Sequence, residues 1–175
     1  MKKKYLILTV LIPLFYWCSF VLISNYTGGD QFAYRALYDS LATTDFWDVI
    51  EISKIYISAE EPLSLYILWA GSYFGFDKDI FISSVNTGLL VCVFLLAKRY
   101  RVNAAMLLLV FSNYYLIVLL TGAERLKFSM LFVLISALVS KRSIKIVAAT
   151  ASVFSHLQTL ILFGSLAMGE FYFQI

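Results

Sequence analysis

Apolar residues run almost unbroken over positions 5–23, 80–97, 104–120, 125–140 and 145–166. At a rise of about 1.5 Å per residue, such runs predict helices that cross a hydrocarbon core about 30 Å thick. A sixth run, "LSLYILWAGSYFGF" at 63–76, is short for a span and predicts a re-entrant or half-buried helix. The stretch 24–61 is different: acidic and aromatic residues alternate there without a long apolar run. It predicts a segment on the membrane surface, with a short helix capped by Thr44 or Asp45 whose Phe46, Trp47 and Ile50 face lipid headgroups. No internal repeat, low-complexity tract or heptad seam interrupts this pattern. The expected fold is all-α, a polytopic transmembrane helical bundle with an outer amphipathic, aromatic segment and a re-entrant helix, forming a single membrane domain over 1–175.

Composition agrees. The chain is 61% hydrophobic and only 14% charged, against about 25% charged in soluble domains, and its mean hydropathy is +0.83. The start has the basic flank of a signal peptide, yet the run 5–23 exceeds the roughly 7–15 apolar residues of such a peptide and no small-residue cleavage site follows. A retained span is expected. The net charge of +3 comes from tight clusters and not from a broad basic face, which argues against a nucleic-acid partner.

Those clusters are Lys2, Lys3 and Lys4; Lys98, Arg99 and Arg101; and Lys141, Arg142 and Lys145. The positive-inside preference puts all three, with the N-terminus, in the cytoplasm, and 24–61, the turn at 121–124 and the C-terminal end outside. Run 63–76 must then enter and leave on one side. A second topology stays open, in which 63–76 crosses the membrane, Asp77–Asp79 are cytoplasmic and every later helix is inverted.

The outer segment holds seven of the eleven acidic residues: Asp30, Asp39, Asp45, Asp48, Glu51, Glu60 and Glu61. In "GGDQFAYRALY", Gly28 and Gly29 permit a sharp turn and Asp30 is expected to cap a helix starting at Gln31. Fourth positions share a helical face, so Asp30, Tyr34 and Tyr38 form a stripe of one carboxylate and two phenols, suited to a sugar. A cap with two interface tyrosines is the plainer reading. Glu60 and Glu61 precede Pro62, the first residue of a helix whose dipole favours anions; either is a cap or a general base. Arg125 heads a span, where it either binds phosphate through its fork of donors or snorkels with Glu124 neutralising it. His156 is the sole histidine. It falls about 16 Å along a helix from Lys145, so it is either a proton-transfer group inside the membrane or a hydrogen-bonded structural histidine. Cys18 and Cys92 sit in apolar runs without metal or disulfide spacing, and no metal site or cofactor is expected.

In order, these features resemble the EpsG/Wzy-like polysaccharide polymerases: a first span, Gly29-Asp30 with Tyr34 and Tyr38, Glu61-Pro62 opening an apolar helix, Arg125 at the head of a span, a basic turn, and Phe154 with His156. The likeness covers residues 1 to about 162. This chain has Gly28-Gly29-Asp30 where the family has Gly-Thr-Asp, Arg125-Leu126 for Arg-Gln, and Ser155 between Phe154 and His156. The resemblance implies a glycosyltransferase of the bacterial plasma membrane that joins oligosaccharide repeat units carried on polyprenyl diphosphate at the outer leaflet. It implies catalytic roles for Asp30, His156 and Glu61, diphosphate binding by Arg125, and sugar stacking on Tyr34, Tyr38 and Trp47. The implied partners are the lipid-linked oligosaccharide, the bilayer and other polysaccharide-assembly membrane proteins. Family members are longer, so the chain is expected to be a truncated product, the N-terminal half of a polymerase. The rival expectations are a small transporter or channel component and a structural membrane subunit.

Overall fold

The computed structural model describes residues 2–161, 163 and 164, with side chains from Ile7 onward. The side chains of Lys2, Lys3 and Lys4, and the end of run 145–166, lie outside the described residues. Within them every regular element is helical: α1 (Lys2–Asn25), α2 (Asp30–Leu41), a 3₁₀ turn (Phe46–Asp48), α3 (Val49–Ile57), α4 (Pro62–Tyr73), α5 (Lys78–Arg99), α6 (Ala104–Phe111), α7 (Tyr114–Thr121), α8 (Glu124–Leu138) and α9 (Arg142–Ser155).

Among the described residues, five continuous spans do not appear. Two helices, Ile7–Asn25 and Lys78–Arg99, are long and apolar enough to cross a membrane, and α6 with α7 makes a third only if a pair bent by 48° counts as one span. The break has a local cause. Asn113 sits at the N-cap of α7, where its side chain accepts from the Tyr115 amide, so the chain restarts a helix in the middle of the apolar run. Helices α8 and α9 have 15 and 14 residues, about 22 and 21 Å at 1.5 Å each. His156 stops α9 in an extended conformation, φ −164° and ψ 113°, and helix resumes only at Thr159.

The long helices fix which ends lie together. Arg99 donates to the carbonyls of Ala137 and Leu138, joining the C-terminal ends of α5 and α8. Lys78 pairs with Glu124, joining their N-terminal ends. Helices α5 and α8 therefore run parallel. Helix α1 runs against α5, with Ser19 bonded to Asn86 and the Ile23 carbonyl near α1's C-terminal end bonded to Arg35 of α2. Helix α9 folds back on α8, where Ser129 donates to the Ser152 carbonyl. The basic turns 98–101 and 141–145 thus fall at one end of the bundle, and the starts of α2, α4, α5 and α8 gather at the other.

The short helices form a cap over that second end. In α2 the buried positions are Gln31, Tyr34, Leu37, Tyr38 and Leu41, the spacing of an amphipathic helix. They pack with Val49, Leu65, Leu68, Ile82 and Phe128, all but sealed from solvent. Both ends of α4 are tied to α2: Glu61, just before α4, reaches Arg125 and through it Tyr34, while Ser72 donates to the Tyr38 carbonyl and Tyr38 to the Phe76 carbonyl. Helix α4 consequently stays within the cap. Asp30 does not cap α2. Gly29 holds the cap position with φ 58°, which glycine tolerates, and Asp30 is the first helical residue. Asp45 precedes the 3₁₀ turn without a side-chain capping bond. Phe46 stacks on Tyr66 at 4.5 Å and stays exposed, as does Trp47 at 84%; of the expected trio only Ile50 packs against the core.

One buried knot holds the cap to the bundle. Glu124 is fully sealed, and its Oε1 accepts from Gln31 at 2.7 Å and Lys78 at 3.2 Å while Oε2 accepts from Lys127 at 3.0 Å. Lys78 also donates to Gln31 Oε1 at 2.6 Å, Gln31 to the Thr121 carbonyl, and Lys127 to the Leu120 carbonyl. Three helices and the end of α7 meet on one carboxylate. The alternative in which Glu124 neutralises Arg125 does not hold: Glu124 is consumed by the two lysines, because two buried ammonium groups cost far more unpaired than a half-exposed guanidinium.

Two stability outcomes follow from this packing. Glu124→Ala leaves Lys78 and Lys127 buried without a counter-charge and should lower stability by about 3–5 kcal/mol, read as a lost melting transition of the purified protein in detergent. At Gly71, a Cβ would lie 2.7 Å from the Tyr38 hydroxyl and 2.9 Å from the Phe81 ring. Gly71→Ala should therefore destabilise by about 1–3 kcal/mol despite its helical preference, and adding Tyr38→Phe should recover part of the loss.

Candidate functional site

The cap brings together residues that are far apart in the chain. Glu61 lies in the extended linker before Pro62, with φ −72° and ψ 104°, so its side chain is aimed by the start of α4 without being part of that helix. Its Oε2 accepts from Arg125 Nη1 at 2.5 Å and its Oε1 faces His156 Nδ1 at 3.1 Å. Arg125 Nε donates to the Tyr34 hydroxyl at 3.0 Å. One carboxylate thus clasps the first turn of α8 to the end of α9, and the guanidinium carries the contact on to α2. The Glu61 side chain is 12% exposed, His156 14% and Arg125 27%, so the group is shielded yet reachable.

Electrostatics match that geometry. Burial pushes the Glu61 carboxyl up, but the hydrogen bond and charge of Arg125, a backbone hydrogen bond and His156 together hold it below its ordinary 4.5. Burial raises the Tyr34 phenol, and Arg125 opposes that rise in part. Both therefore keep their usual charge states at neutral pH: a carboxylate and a neutral phenol. His156 Nε2 faces Gln158 Oε1 at 3.1 Å. A neutral ring that gives its Nδ1 proton to Glu61 needs the Gln158 amide turned to donate, whereas a charged ring donates to both; rotating that amide serves either state.

Asp30 is exposed and lines a cleft of about 310 Å³ with Tyr34, Tyr56, Ser58 and Arg125. The structure thus joins Asp30, Tyr34, Glu61, Arg125 and His156 in one neighbourhood. Tyr38 is not among them. One turn further along α2, it is buried, stacks near Phe81 and borders a separate cleft with Arg35, Asp39 and Asp77. Trp47 touches Phe46 edge-on at 5.1 Å and lines neither cleft. The expected stripe splits because α2 is wedged between α8 and the α4–α5 turn, so tyrosines one turn apart meet different neighbours.

Gln31, Lys78 and Lys127 escaped the sequence reading. The Glu124–Lys127 spacing of three is visible along the chain, but nothing local announces that Lys78 or Gln31 joins them. Among the described residues no group of acids, cysteines and histidine could hold a metal ion. No family model, curated protein or solved structure matches this chain.

The clasp carries a pH signature. Because the folded Glu61 carboxyl lies below its ordinary 4.5, its contribution to stability is full above that value and is lost as pH falls through the folded value. Melting temperatures of the protein in detergent, taken from pH 7 to pH 3, should show an acid-side decline in the wild type that is shallower in Glu61→Gln. Superimposable profiles would contradict the clasp.

Proposed function

We propose that this chain is a membrane glycosyltransferase of the polysaccharide-polymerase kind, joining polyprenyl-diphosphate-linked oligosaccharide units at the outer face of a bacterial plasma membrane, at the end of the bundle opposite its basic turns. The observation that carries this reading is the Arg125–Glu61–His156 clasp beside the Asp30 and Tyr34 cleft. It supplies a cation for a leaving diphosphate, a carboxylate-oriented imidazole for a hydroxyl proton, and a polar recess for sugars. The family likeness in motif order supports the same assignment.

In this mechanism an acceptor hydroxyl oxygen bonds to the anomeric carbon of the donor sugar. The anomeric carbon–oxygen bond to the diphosphate breaks, and its electron pair leaves with the diphosphate. Arg125 offsets the charge that develops there. His156, oriented through Nδ1 by Glu61, takes the hydroxyl proton on Nε2 after the acceptor hydroxyl displaces Gln158 from that nitrogen. Asp30 accepts hydrogen bonds from sugar hydroxyls at the cleft rim, and Tyr34 holds Arg125 in place. Tyr38 and Trp47 have no part in the transfer step; Trp47 anchors the cap at the headgroup level.

The test uses a bacterial strain lacking its polysaccharide polymerase and complemented by the gene for this protein. Arg125→Ala and His156→Ala should each cut long-chain polymer by about 10²-fold or more while the protein remains in the membrane. Long-chain polymer persisting in both variants would contradict the mechanism.

A further inference from the structure

Helices α6 and α7 carry the chain from one end of the bundle to the other. Helix α6 starts just after the basic turn 98–101, and the carbonyl of Thr121, the last residue of α7, accepts from Gln31 in the cap. Each helix has eight residues, about 12 Å at 1.5 Å per residue. The 48° bend between them therefore falls near the middle of the membrane. One face of the pair, with Phe111, Leu116, Leu119 and Leu120, packs on the bundle. The other face is bare: no residue of α6 is buried, and at the bend Tyr114 and Tyr115 are 71% and 79% exposed.

A bare apolar face needs only lipid, but the bend also opens the backbone. The Asn113 side chain caps α7 by accepting from the Tyr115 amide, and the Asn113 amide donates to the Val110 carbonyl. The Tyr114 amide and the Phe111 and Ser112 carbonyls have no hydrogen-bond partner among the described residues, and neither has Asn113 Nδ2. Ser112 and Asn113 are themselves exposed. Open backbone at membrane depth is tolerated only where protein buries it or water reaches it. Leu108, Leu109 and Val110 precede the bend, Ile117 and Val118 follow it, and 102–123 holds no charged residue. Such surroundings hold no water, so protein must cover the bend.

The same residues identify the cover. A carboxamide both donates and accepts, so Asn113 complements a second Asn113. Its two Nδ2 hydrogens are the donors that the Phe111 and Ser112 carbonyls of a neighbouring copy lack, and the second lone pair on its Oδ1 suits that copy's Tyr114 amide. Two copies inserted in one orientation are related by a two-fold axis along the membrane normal, which sets both bends at the same depth. No charge in 102–123 selects a different partner. We propose that the α6–α7 bend is the contact between two copies of this chain, each Asn113 carboxamide closing the other's open backbone in the middle of the membrane. Asparagine pairs across helices promote association in lipid, where an unpaired polar group has no water to turn to. The contact stands apart from the Glu61 clasp and is independent of the function proposed above.

The experiment uses the full chain with Cys18 and Cys92 replaced by alanine. Leu109→Cys, four residues before Asn113, should form a disulfide between two chains when isolated membranes are oxidised with copper phenanthroline. Val147→Cys on α9, as exposed as Leu109 (68% against 67%), should stay single. Energy transfer between donor- and acceptor-labelled chains in liposomes of zwitterionic phospholipid then measures the dimer fraction. Asn113→Asp keeps an oxygen to cap α7 but removes both Nδ2 hydrogens and sets two carboxylates against each other. It should weaken dimerisation by about tenfold or more with helix content by circular dichroism unchanged. If Asn113→Asp loses helix content, the two cysteine variants decide alone. A chain that stays single in liposomes, a disulfide at Val147→Cys but not at Leu109→Cys, or a dimer that a folded Asn113→Asp leaves intact would overturn the proposal. Cross-linking of Leu109→Cys only to a different protein would overturn it as well.

Discussion

A carboxylate with no exposure to solvent is tolerated only when every lone pair is answered, and at Glu124 the answers come from Gln31 on α2, Lys78 on α5 and Lys127 on α8. No two of these residues belong to the same helix. The arrangement exists only if the starts of α2, α5 and α8 meet at one point, which in turn forces α5 and α8 to run parallel. Everything distinctive about the molecule follows from that meeting. Arg125 is the next residue along α8, Tyr34 lies one turn beyond Gln31 on α2, and both are delivered to the same end by the knot beneath them.

The knot and the clasp divide the electrostatic work. Lys78, Lys127 and Glu124 form a sealed group with one surplus positive charge, and the more open group above adds Arg125 against Glu61. With Asp30 at the rim of the same cleft, three carboxylates face three cations, and Glu61 is the one mounted on a linker.

Much of this was legible from the residues. The apolar runs locate α1 and α5, Pro62 marks the start of α4, and the short run at 63–76 belongs to a helix of 12 residues that stays in the cap. The charge-based topology, with 24–61, the turn at 121–124 and the C-terminal end on one side, brings Asp30, Glu61, Arg125 and His156 to one face, and they do lie in one neighbourhood. What escaped was set by tertiary contacts. Hydropathy does not register that Asn113 interrupts 104–120 by capping α7, or that His156 ends α9. Lys78 reads as a solvated charge beside Asp77 and Asp79, yet it is buried because Glu124 and Gln31 await it. Tyr38 shares a helical face with Tyr34, and periodicity alone cannot separate their neighbours.

The central claim is that the polar cap and the basic turns occupy opposite ends of the bundle and opposite sides of a membrane. In a background with Cys18 and Cys92 replaced by alanine, Gly28→Cys places a thiol where an added Cβ meets nothing within 4 Å, and Val102→Cys places one in the exposed turn after α5. A membrane-impermeant maleimide applied to intact cells should label position 28 at once and position 102 only after permeabilisation. Labelling of both from the same side, or of position 102 alone in intact cells, would contradict the account.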